Sequence, residues 1–235
     1  FLRGIAVVNI GVALALLFIL INIQFEHEIT LRQQEKELAE LRIDIMLSQI
    51  QPHFLYNVLT GIRNLCETNP NRAVESITTF SKFLRTNMES LTDKHPIPFE
   101  KELSHTQAYL QLEQQRFGDK LKIVYEIETV DFSIPPLTLQ PIAENAVRHG
   151  LMKKENGGTL TIRSGEEEKA FFITITDDGL GFSQKQLNSE NDMHIGIANV
   201  RNRLQTLCSG TVNIQSQPNK GTTVTIYIPK EGEKH

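Results

Sequence analysis

An almost unbroken apolar run, IAVVNIGVALALLFILINI, occupies Ile5 to Ile23 of this 235-residue chain. A helix of that length spans roughly 28 Å, close to the ~30 Å hydrocarbon core of a bilayer. A helix buried in a soluble core would show a polar face, and a secretory signal peptide would have a shorter apolar region. We therefore expect residues 1–24 to form a transmembrane helix.

A polar segment that favours helix formation follows the apolar run. Residues 25–47 contain no Gly or Pro and are rich in Glu, Gln, Leu, Arg and Lys. Leu31, Leu38 and Ile45 are seven residues apart, a spacing that fits both a short coiled coil and a plain amphipathic helix. Either structure would make this segment a signalling helix that joins the membrane to the rest of the chain.

Residues 48–93 show helical periodicity in two arms. Pro52 interrupts the preceding helix, and Asn69-Pro70-Asn71 predicts a turn between the arms. The two arms are expected to form a helical hairpin, and one hairpin alone would cover its apolar faces poorly. Pairing with a second copy into a four-helix bundle, and hence a homodimer, is therefore expected. The apolar residues at helical spacing on the second arm are Val74, Ile77, Phe80, Phe83, Leu84 and Met88.

Residues 96–230 mix helical and strand patterns. Glu100–Phe117 is predicted as a helix that ends at Gly118, and Leu121–Ile127 alternates as a strand does. The pattern predicts an α/β sandwich within an α+β chain, with a sheet on one side, helices on the other and an antiparallel finish. A further helix is predicted after Pro135-Pro136. The remaining predicted elements are the helix Ile197–Cys208 and the strands Thr159–Arg163, Phe171–Thr176, Thr211–Gln215 and Thr222–Ile228.

The composition narrows the classes of function. Apolar residues make up 40% of the chain and charged residues 22%, which excludes a wholly disordered chain and a polytopic membrane protein. Lys and Arg number 24 against 28 for Asp and Glu, so no basic excess indicates a nucleic-acid partner. Cys66 and Cys208 are far apart, and they predict neither a disulfide framework nor a zinc site.

The helix after Pro135-Pro136 carries a stripe of polar side chains. Asn145, Arg148 and His149 are spaced i, i+3 and i+4 and would share one helix face. They suit a metal-bridged polyphosphate, because the amide oxygen can ligate a hard cation and the basic groups can neutralise phosphate. A solvated polar face is the ordinary alternative. Glu144 lies beside the stripe and is a candidate catalytic side chain.

Three glycine-containing segments follow in order. Asp177 starts the sequence DDGLG at a strand end, where a carboxylate can accept a hydrogen bond from an exocyclic amine and glycines let the backbone approach a flat ring. A glycine then opens a helix, where N–H groups favour phosphate, and a Gly-Thr pair begins the last strand. Each segment alone fits an ordinary turn or helix start, but their order in one chain is improbable by chance. The candidate binding residues in these segments are Asp177, Gly179, Gly181, Gly196, Gly221 and Thr222.

This series resembles the nucleotide-binding region of the GHKL family, which includes gyrase, Hsp90, MutL and histidine kinases. The matching sequences are ENAVRHG, DDGLGF, HIGIANVRNRL and NKGTTVTIYIP, and QPHFLYN with PPLTLQPIAENAVRHG resembles LytS/YesM-type sensor histidine kinases. The resemblance implies a Bergerat-type ATP fold, with Asn145 on Mg²⁺, Asp177 on adenine and the glycines shaping the pocket and its lid. It also implies His53 as the phosphoacceptor. Two positions depart from the pattern: His194 replaces the first glycine of a GxG, and Phe54 stands where many histidine kinases have an acid.

His53 differs from the other histidines in its neighbours. Pro52 precedes it, and Asn57 lies one helical turn on, about 6 Å along the axis and on the same face. Near neutral pH an imidazole is largely unprotonated and can attack a γ-phosphate in line. Asn57 is expected to orient the ring or, in dephosphorylation, a water molecule. The histidines expected to be solvated are His27, His95, His105 and His235.

The sequence therefore predicts a homodimeric sensor histidine kinase of a two-component system, attached to the cell (inner) membrane with its catalytic part in the cytoplasm. It would transfer the γ-phosphate of ATP, with Mg²⁺, to His53 and then to an aspartate of a response regulator. Two alternatives stay open. A GHKL ATPase or serine kinase would not need the QPHFLYN sequence, and a non-catalytic signalling scaffold would bind nucleotide only. No nucleic-acid partner is expected.

Overall fold

The computed structural model describes residues 16–37, 52–92, 95–183 and 192–230. The chain divides into two units, Phe1–Pro52 and His53–His235. In the first unit, residues 16–37 form one helix, α1, whose side chains are exposed. Among the described residues, none of the helices combines the length and the apolar character needed to cross a membrane. The rest of the predicted membrane span, and Leu38 and Ile45 of the predicted signalling helix, lie outside the described residues.

Two helices form a hairpin in the region where the sequence predicts one. They are α2, Pro52–Thr68, and α3, Pro70–Thr92. Oδ1 of Asn69 accepts a hydrogen bond from the backbone N–H of Arg72 at 3.2 Å, so Asn69 caps α3. Pro70 occupies the first helical position, where no N–H is needed. The Asn-Pro pair therefore separates the two helices by a single residue.

The hairpin packs against the next helix, α4 (Phe99–Phe117), through a cluster of rings. The ring centroids of Phe54 and Phe83 lie 5.3 Å apart, and Phe54 lies at the same distance from Tyr109 of α4. Phe83 also stacks on His105 of α4 at 5.3 Å. Because rings from α2, α3 and α4 meet in one cluster, α4 is a shared packing partner for both arms of the hairpin.

The apolar residues predicted for one face of α3 divide between two faces. Phe83 is 1% exposed against α4, whereas Val74 is 64% exposed. A helix of the same chain therefore covers part of the surface that the sequence pattern assigns to a second copy, and a separate apolar face remains exposed. The large apolar side chains on that exposed face of the hairpin are Tyr56, Leu59, Val74, Ile77 and Met88.

The structure contradicts the expectation that His105 is solvated. The residue is only 2% exposed, because α3 covers this part of α4 and stacks Phe83 on the imidazole ring. Burial lowers the pKa of His105 to about 4, since the charged imidazolium loses its hydration, and the positive charge of Lys82 acts in the same direction. The periodicity of α4 alone carries no signal for this burial, because the covering helix comes from elsewhere in the chain.

This unit also contains a short antiparallel pair, β1 (Ile97–Pro98) with β3 (Ser133–Ile134), and a five-stranded mixed sheet. The strands of the sheet are β2 (Leu121–Ile127), β4 (Gly158–Glu166), β5 (Ala170–Asp177), β6 (Thr211–Gln217) and β7 (Gly221–Pro229). They lie in the spatial order β2-β4-β5-β7-β6. β2 pairs in parallel with β4, and the other neighbours are antiparallel, which confirms the predicted antiparallel finish.

One face of the sheet contributes to the hydrophobic core. In β5, Ile173 and Ile175 are buried while the residues between and beside them are less so, and β7 buries Val224 and Ile226 in the same alternating way. These side chains form one cluster with apolar residues of the helices. The helices that join α4 in this cluster are α5 (Leu139–Asn145), which continues as a π-helical turn over Ala146–Gly150, and α6 (Asp192–Cys208).

Candidate functional site

A cavity of about 220 Å³ is lined by residues of α5, β5, β7 and α6. Its lining is mostly apolar and includes four polar side chains, those of Asn145, His149, Asp177 and Thr222. An apolar cavity with a few polar groups is the usual form of a small-molecule site. The aliphatic lining residues are Ile142, Ala146, Ile175, Ile197 and Val224.

Asp177 contributes a carboxylate to the cavity wall. It is the last residue of β5, two positions beyond Ile175, so strand alternation turns it to the core side. Its Oδ1 accepts a hydrogen bond from the Gly179 N–H at 2.9 Å, and the residue is only 4% exposed. Burial raises the pKa of Asp177 to about 6, because lost hydration penalises the charged form more than the N–H groups of Gly179 and Thr222 favour it.

Glycines leave room for this carboxylate. A Cβ atom on Gly150 or on Gly179 would lie 2.6 Å from Oδ1 of Asp177, which is too close for any side chain. Gly181 has a φ of +56° and Gly221 a φ of +92°, and residues with side chains rarely adopt such a backbone. The structure therefore gives a steric reason for each of these glycines, including Gly150, which is not among the predicted binding residues.

The helix that carries the predicted polar stripe changes its geometry directly after Asn145. Residues Ala146–Gly150 form a π-helical turn, which is wider than an α-helical one and is frequent at functional sites. The wider turn keeps His149 on the same side as Asn145, and both line the cavity. Arg148 is exposed and does not line the cavity, so its role at the nucleotide stays a prediction.

Glu144 lies outside the cavity lining and beside α4. Burial raises the pKa of its carboxyl to about 7, while Arg148 opposes this shift and the carboxylate of Glu113 adds to it. Tyr109 belongs to the same group, since burial, and after it the charges of Glu113 and Glu144, raise the pKa of its hydroxyl. The structure therefore places Glu144 half-buried beside the buried Glu113 and Tyr109 of α4, a neighbourhood that local sequence patterns could not reveal.

The first turns of α6 approach Asn145. A Cβ atom on Gly196 would lie 3.8 Å from Nδ2 of Asn145, and the next residue, Ile197, lines the cavity. The helix begins at Asp192, earlier than the predicted start at Ile197. The side chain of His194 lies outside the described residues. Gly196 thus lies beside the Asn145 amide, and a Cβ atom at this position would make an ordinary van der Waals contact with it.

His53 lies near the start of α2 and is exposed. Nδ2 of Asn57 lies 3.1 Å from Nδ1 of His53 and 3.5 Å from Nε2, so the amide contacts the ring across one helical turn, as predicted. An amide can donate through Nδ2 or, after half a rotation, accept through Oδ1. Its orientation therefore selects which ring nitrogen carries the proton and which keeps a lone pair.

Two family models match the chain in succession. Residues 41–121 match the histidine kinase model, and residues 137–232 match the model for histidine kinase-, DNA gyrase B- and HSP90-like ATPases. The chain is 33% identical to the uncharacterized protein YwpD of Bacillus subtilis (strain 168), over 87% of this chain and 76% of YwpD. It is 35% identical to the sensor histidine kinase YpdA of Escherichia coli (strain K12), over 87% of this chain and 37% of YpdA. It is 31% identical to the sensor protein LytS of Oceanobacillus iheyensis, over 84% of this chain and 36% of LytS.

The chain belongs to the LytS-type histidine kinases. It spans little more than a third of the length of YpdA and LytS and about three quarters of YwpD. The mixed sheet with its covering helices is accordingly the GHKL-type catalytic domain of a histidine kinase.

In this LytS-type kinase, the residues named by the family resemblance fall into two groups. Asn145, Asp177 and Thr222 meet in the cavity, whereas His53 and Asn57 lie together on the hairpin. Sequence reasoning missed the carboxylates that lie buried on α4, because a glutamate within a helix of mixed polarity gives no sign that another element will cover it. The buried glutamates of α4 are Glu102 and Glu113.

Proposed function

We propose that this LytS-type kinase binds ATP in the cavity, transfers the γ-phosphoryl group to His53 and then passes it to an aspartate of a response regulator. The observation that carries the proposal is the presence of a desolvated carboxylate, Asp177, in an apolar cavity on the same unit as an exposed histidine held by Asn57. The cavity with its carboxylate is suited to bind the base of a nucleotide, and the exposed histidine is suited to accept a phosphoryl group.

Asp177 has the geometry to recognise the exocyclic amine of adenine. The N–H groups of Gly179 and Thr222 bond the carboxylate, whose two oxygens have about four acceptor positions, so acceptor capacity remains for an incoming amine. Ile175 and Val224 supply apolar surface for the ring. A hydrogen bond of this kind is strengthened by the low polarity of its surroundings, because little water competes for either partner.

We assign the phosphate end of the nucleotide to Asn145 and His149, beside Gly196 at the start of α6, with Arg148 adding positive charge nearby. The described residues include no cluster of three or more His, Cys, Asp or Glu side chains that could hold a metal ion. Mg²⁺ would instead be held by the amide oxygen of Asn145 together with phosphate oxygens, a ligand set that suits this ion. When bound, the ion supplies neutralisation of phosphate charge.

His53 is suited to in-line attack on the γ-phosphorus. When Oδ1 of Asn57 accepts the proton of Nδ1, the lone pair resides on Nε2, which is then the attacking nitrogen. An N–P bond forms while the bond to the bridging oxygen of ADP breaks, and the Nδ1 proton can leave to solvent. Positioning and charge neutralisation supply most of the rate in such transfers.

Incubation of the chain with γ-labelled ATP and Mg²⁺ tests this function. Label on the protein that is lost in acid and kept in base identifies a phosphoramidate and supports the proposal. Label that is stable in acid would indicate a serine kinase. Phosphate release without labelling would indicate an ATPase, and nucleotide binding without either would indicate a scaffold.

We propose that residues 1–24 anchor the chain in the cell membrane, residues 25–47 carry the signal, residues 48–93 form the dimerisation hairpin and residues 96–230 bind ATP in the cytoplasm. The apolar run of the sequence and the position of the helices support this division. The exposed apolar face of the hairpin supports pairing with a second copy into a four-helix bundle.

Charges on the exposed hairpin face are expected to give monomers. Leu59 and Ile77 are 55% and 47% exposed, and carboxylates buried there without partners would strongly disfavour an apolar interface. A fragment that begins at Glu35 should sediment as a dimer, and its Leu59→Asp/Ile77→Asp variant as a monomer. Leu207→Asp, which places the same charge on an exposed leucine of α6 outside the hairpin, should remain dimeric. A wild-type fragment that stays monomeric at high concentration would contradict the proposal.

The affinity for ATP is expected to fall as the pH falls through about 6, the pKa of Asp177. Above that pH the carboxylate is charged and accepts the adenine amine, and below it protonation removes the charge. Titration of one such group predicts about tenfold weaker binding at roughly pH 5 than at pH 8. In Asp177→Asn this component should vanish, and the remaining pH dependence should come from the nucleotide and the other titratable groups around it. Calorimetric titrations across this range measure the difference, and parallel pH profiles for the two proteins would contradict the assignment.

A further inference from the structure

The segment that leads into α5 is buried, and the helix start has no cap of its own. Pro135 to Leu139 are all buried, and Thr138, at the N-cap position, makes no side-chain hydrogen bond to the helix. Its hydroxyl donates instead to the carbonyl oxygen of Pro135 at 2.6 Å. The first N–H groups of a helix have no acceptor within it, so a buried helix start needs an acceptor from another element.

The acceptor is Glu102 of α4. Its carboxylate is fully buried, and it accepts hydrogen bonds from the backbone N–H groups of Leu137 at 3.0 Å, Thr138 at 2.7 Å and Leu139 at 2.9 Å. Burial raises the pKa of this carboxyl, while the three N–H groups and the charge of Arg203 act in the opposite direction. One side chain of α4 thus binds three consecutive residues at the start of α5.

Arg203 of α6 holds the same segment from another side. Its Nη2 donates to the carbonyl oxygen of Leu137 at 2.6 Å. Leu137 has a φ of +55°, a backbone that leucine rarely adopts and that persists only where surrounding contacts enforce it. Leu137 is therefore held at its N–H by α4 and at its carbonyl oxygen by α6, so three helices meet at one residue.

We infer that Glu102 is a positioning residue for the nucleotide site. By holding the start of α5, Glu102 keeps Asn145 next to α6. Asn145 lies six residues beyond Leu139, about 9 Å along the helix, so a shift of the helix start carries the amide with it. Glu102 does not line the cavity and acts only through the helix it holds. The inference rests on the proposed role of Asn145 at the phosphate end of ATP.

Glu102→Gln tests this inference while nearly preserving side-chain size. The amide places an NH₂ group against backbone N–H donors, and we expect about tenfold weaker binding of ATP with Mg²⁺. Binding is titrated on the full chain in detergent, at a temperature where circular dichroism shows every variant folded. Glu113→Gln is the matched control, because Glu113 is a buried glutamate of the same helix that accepts a hydrogen bond from Arg116 instead. It should bind ATP as the wild type does.

A double-mutant cycle separates positioning from stability. If Glu102 acts through Asn145, Glu102→Gln should weaken ATP binding in the wild type but hardly at all in an Asn145→Ala background. Arg203→Gln removes the hydrogen bond from α6 to Leu137, and it should likewise weaken ATP binding in the wild type but hardly at all in the Asn145→Ala background. If Glu102→Gln does not fold, Arg203→Gln provides the test of positioning.

Two outcomes would overturn the inference while leaving the proposed ATP site intact. One is an equal loss from Glu102→Gln in both backgrounds, and the other is no loss from Glu102→Gln or Arg203→Gln. If Asn145→Ala has no effect on ATP binding, both this inference and the proposed role of Asn145 at the phosphate end are wrong. A wild-type chain that does not bind ATP would overturn the proposed function, and this inference with it.

Discussion

His53→Gln is expected to reduce labelling of the chain by γ-labelled ATP to background while leaving ATP binding unchanged. Glutamine has no nitrogen lone pair that can attack phosphorus, and His53 does not line the cavity that we assign to the nucleotide. The loss should exceed about a thousandfold, because the nucleophile itself is removed. Acid-labile label, counted after the free nucleotide is removed, measures it.

His95→Gln is the matched control for this experiment, since His95 is also exposed and lies outside the cavity lining. It should label at the wild-type rate. Asn57→Ala should retain label but change the rate at which phosphate is lost, because the amide orients the ring and is not the nucleophile. Acid-labile label that persists in His53→Gln would show that another histidine is the acceptor, and the central proposal would be wrong.

Asp177→Asn should weaken ATP binding by about ten- to a hundredfold, the range expected for loss of a hydrogen bond to a charged group. The substitution keeps the shape of the side chain and can still accept from the Gly179 N–H. The substitution exchanges the negatively charged carboxylate, which we propose faces the adenine amine, for a neutral amide. Isothermal titration of folded protein with ATP measures the change.

Asp178→Asn provides the control at the adjacent position. Asp178 is exposed, and its Oδ1 accepts from the Thr159 N–H at 2.9 Å and lies 3.6 Å from the ammonium of Lys154, outside the cavity lining. Its variant should bind ATP normally. Purine riboside triphosphate lacks the exocyclic amine, so it should bind wild type and Asp177→Asn about equally. Equal losses for this ligand and ATP would remove Asp177 from the adenine site.

Local sequence signals predict much of the catalytic domain. The alternation of Leu121–Ile127 predicts β2 with the bounds it has, and Gly118 predicts the end of α4 at Phe117, because the chain leaves that helix with a φ of +57°. The position of Asp177 at a strand end also follows from local pattern. In each case the signal lies within a few residues of the feature that it predicts.

Contacts between elements account for what the sequence could not predict. The π-helical turn after Asn145 alters the spacing that would put Arg148 on the cavity side, and nothing in ENAVRHG distinguishes it from a regular helix. The sequence gives Glu102 no feature beyond its position in the first turn of α4, and only the structure shows that the start of α5 packs over it. Both features depend on how helices meet, which periodicity within one helix does not encode.

The parallel pairing of β2 with β4 has a consequence for the order of folding. The turns at residues 167–169 and 218–220 close the β4–β5 and β6–β7 hairpins over short distances. β2 can join β4 only after residues 128–157, which include α5, have crossed from one strand to the other. Contacts that close long loops form slowly, so we expect the strand that ends in Asp177 to be in place before the helix that carries Asn145. A partly folded chain would then possess the binding surface for the base before the one for the phosphates.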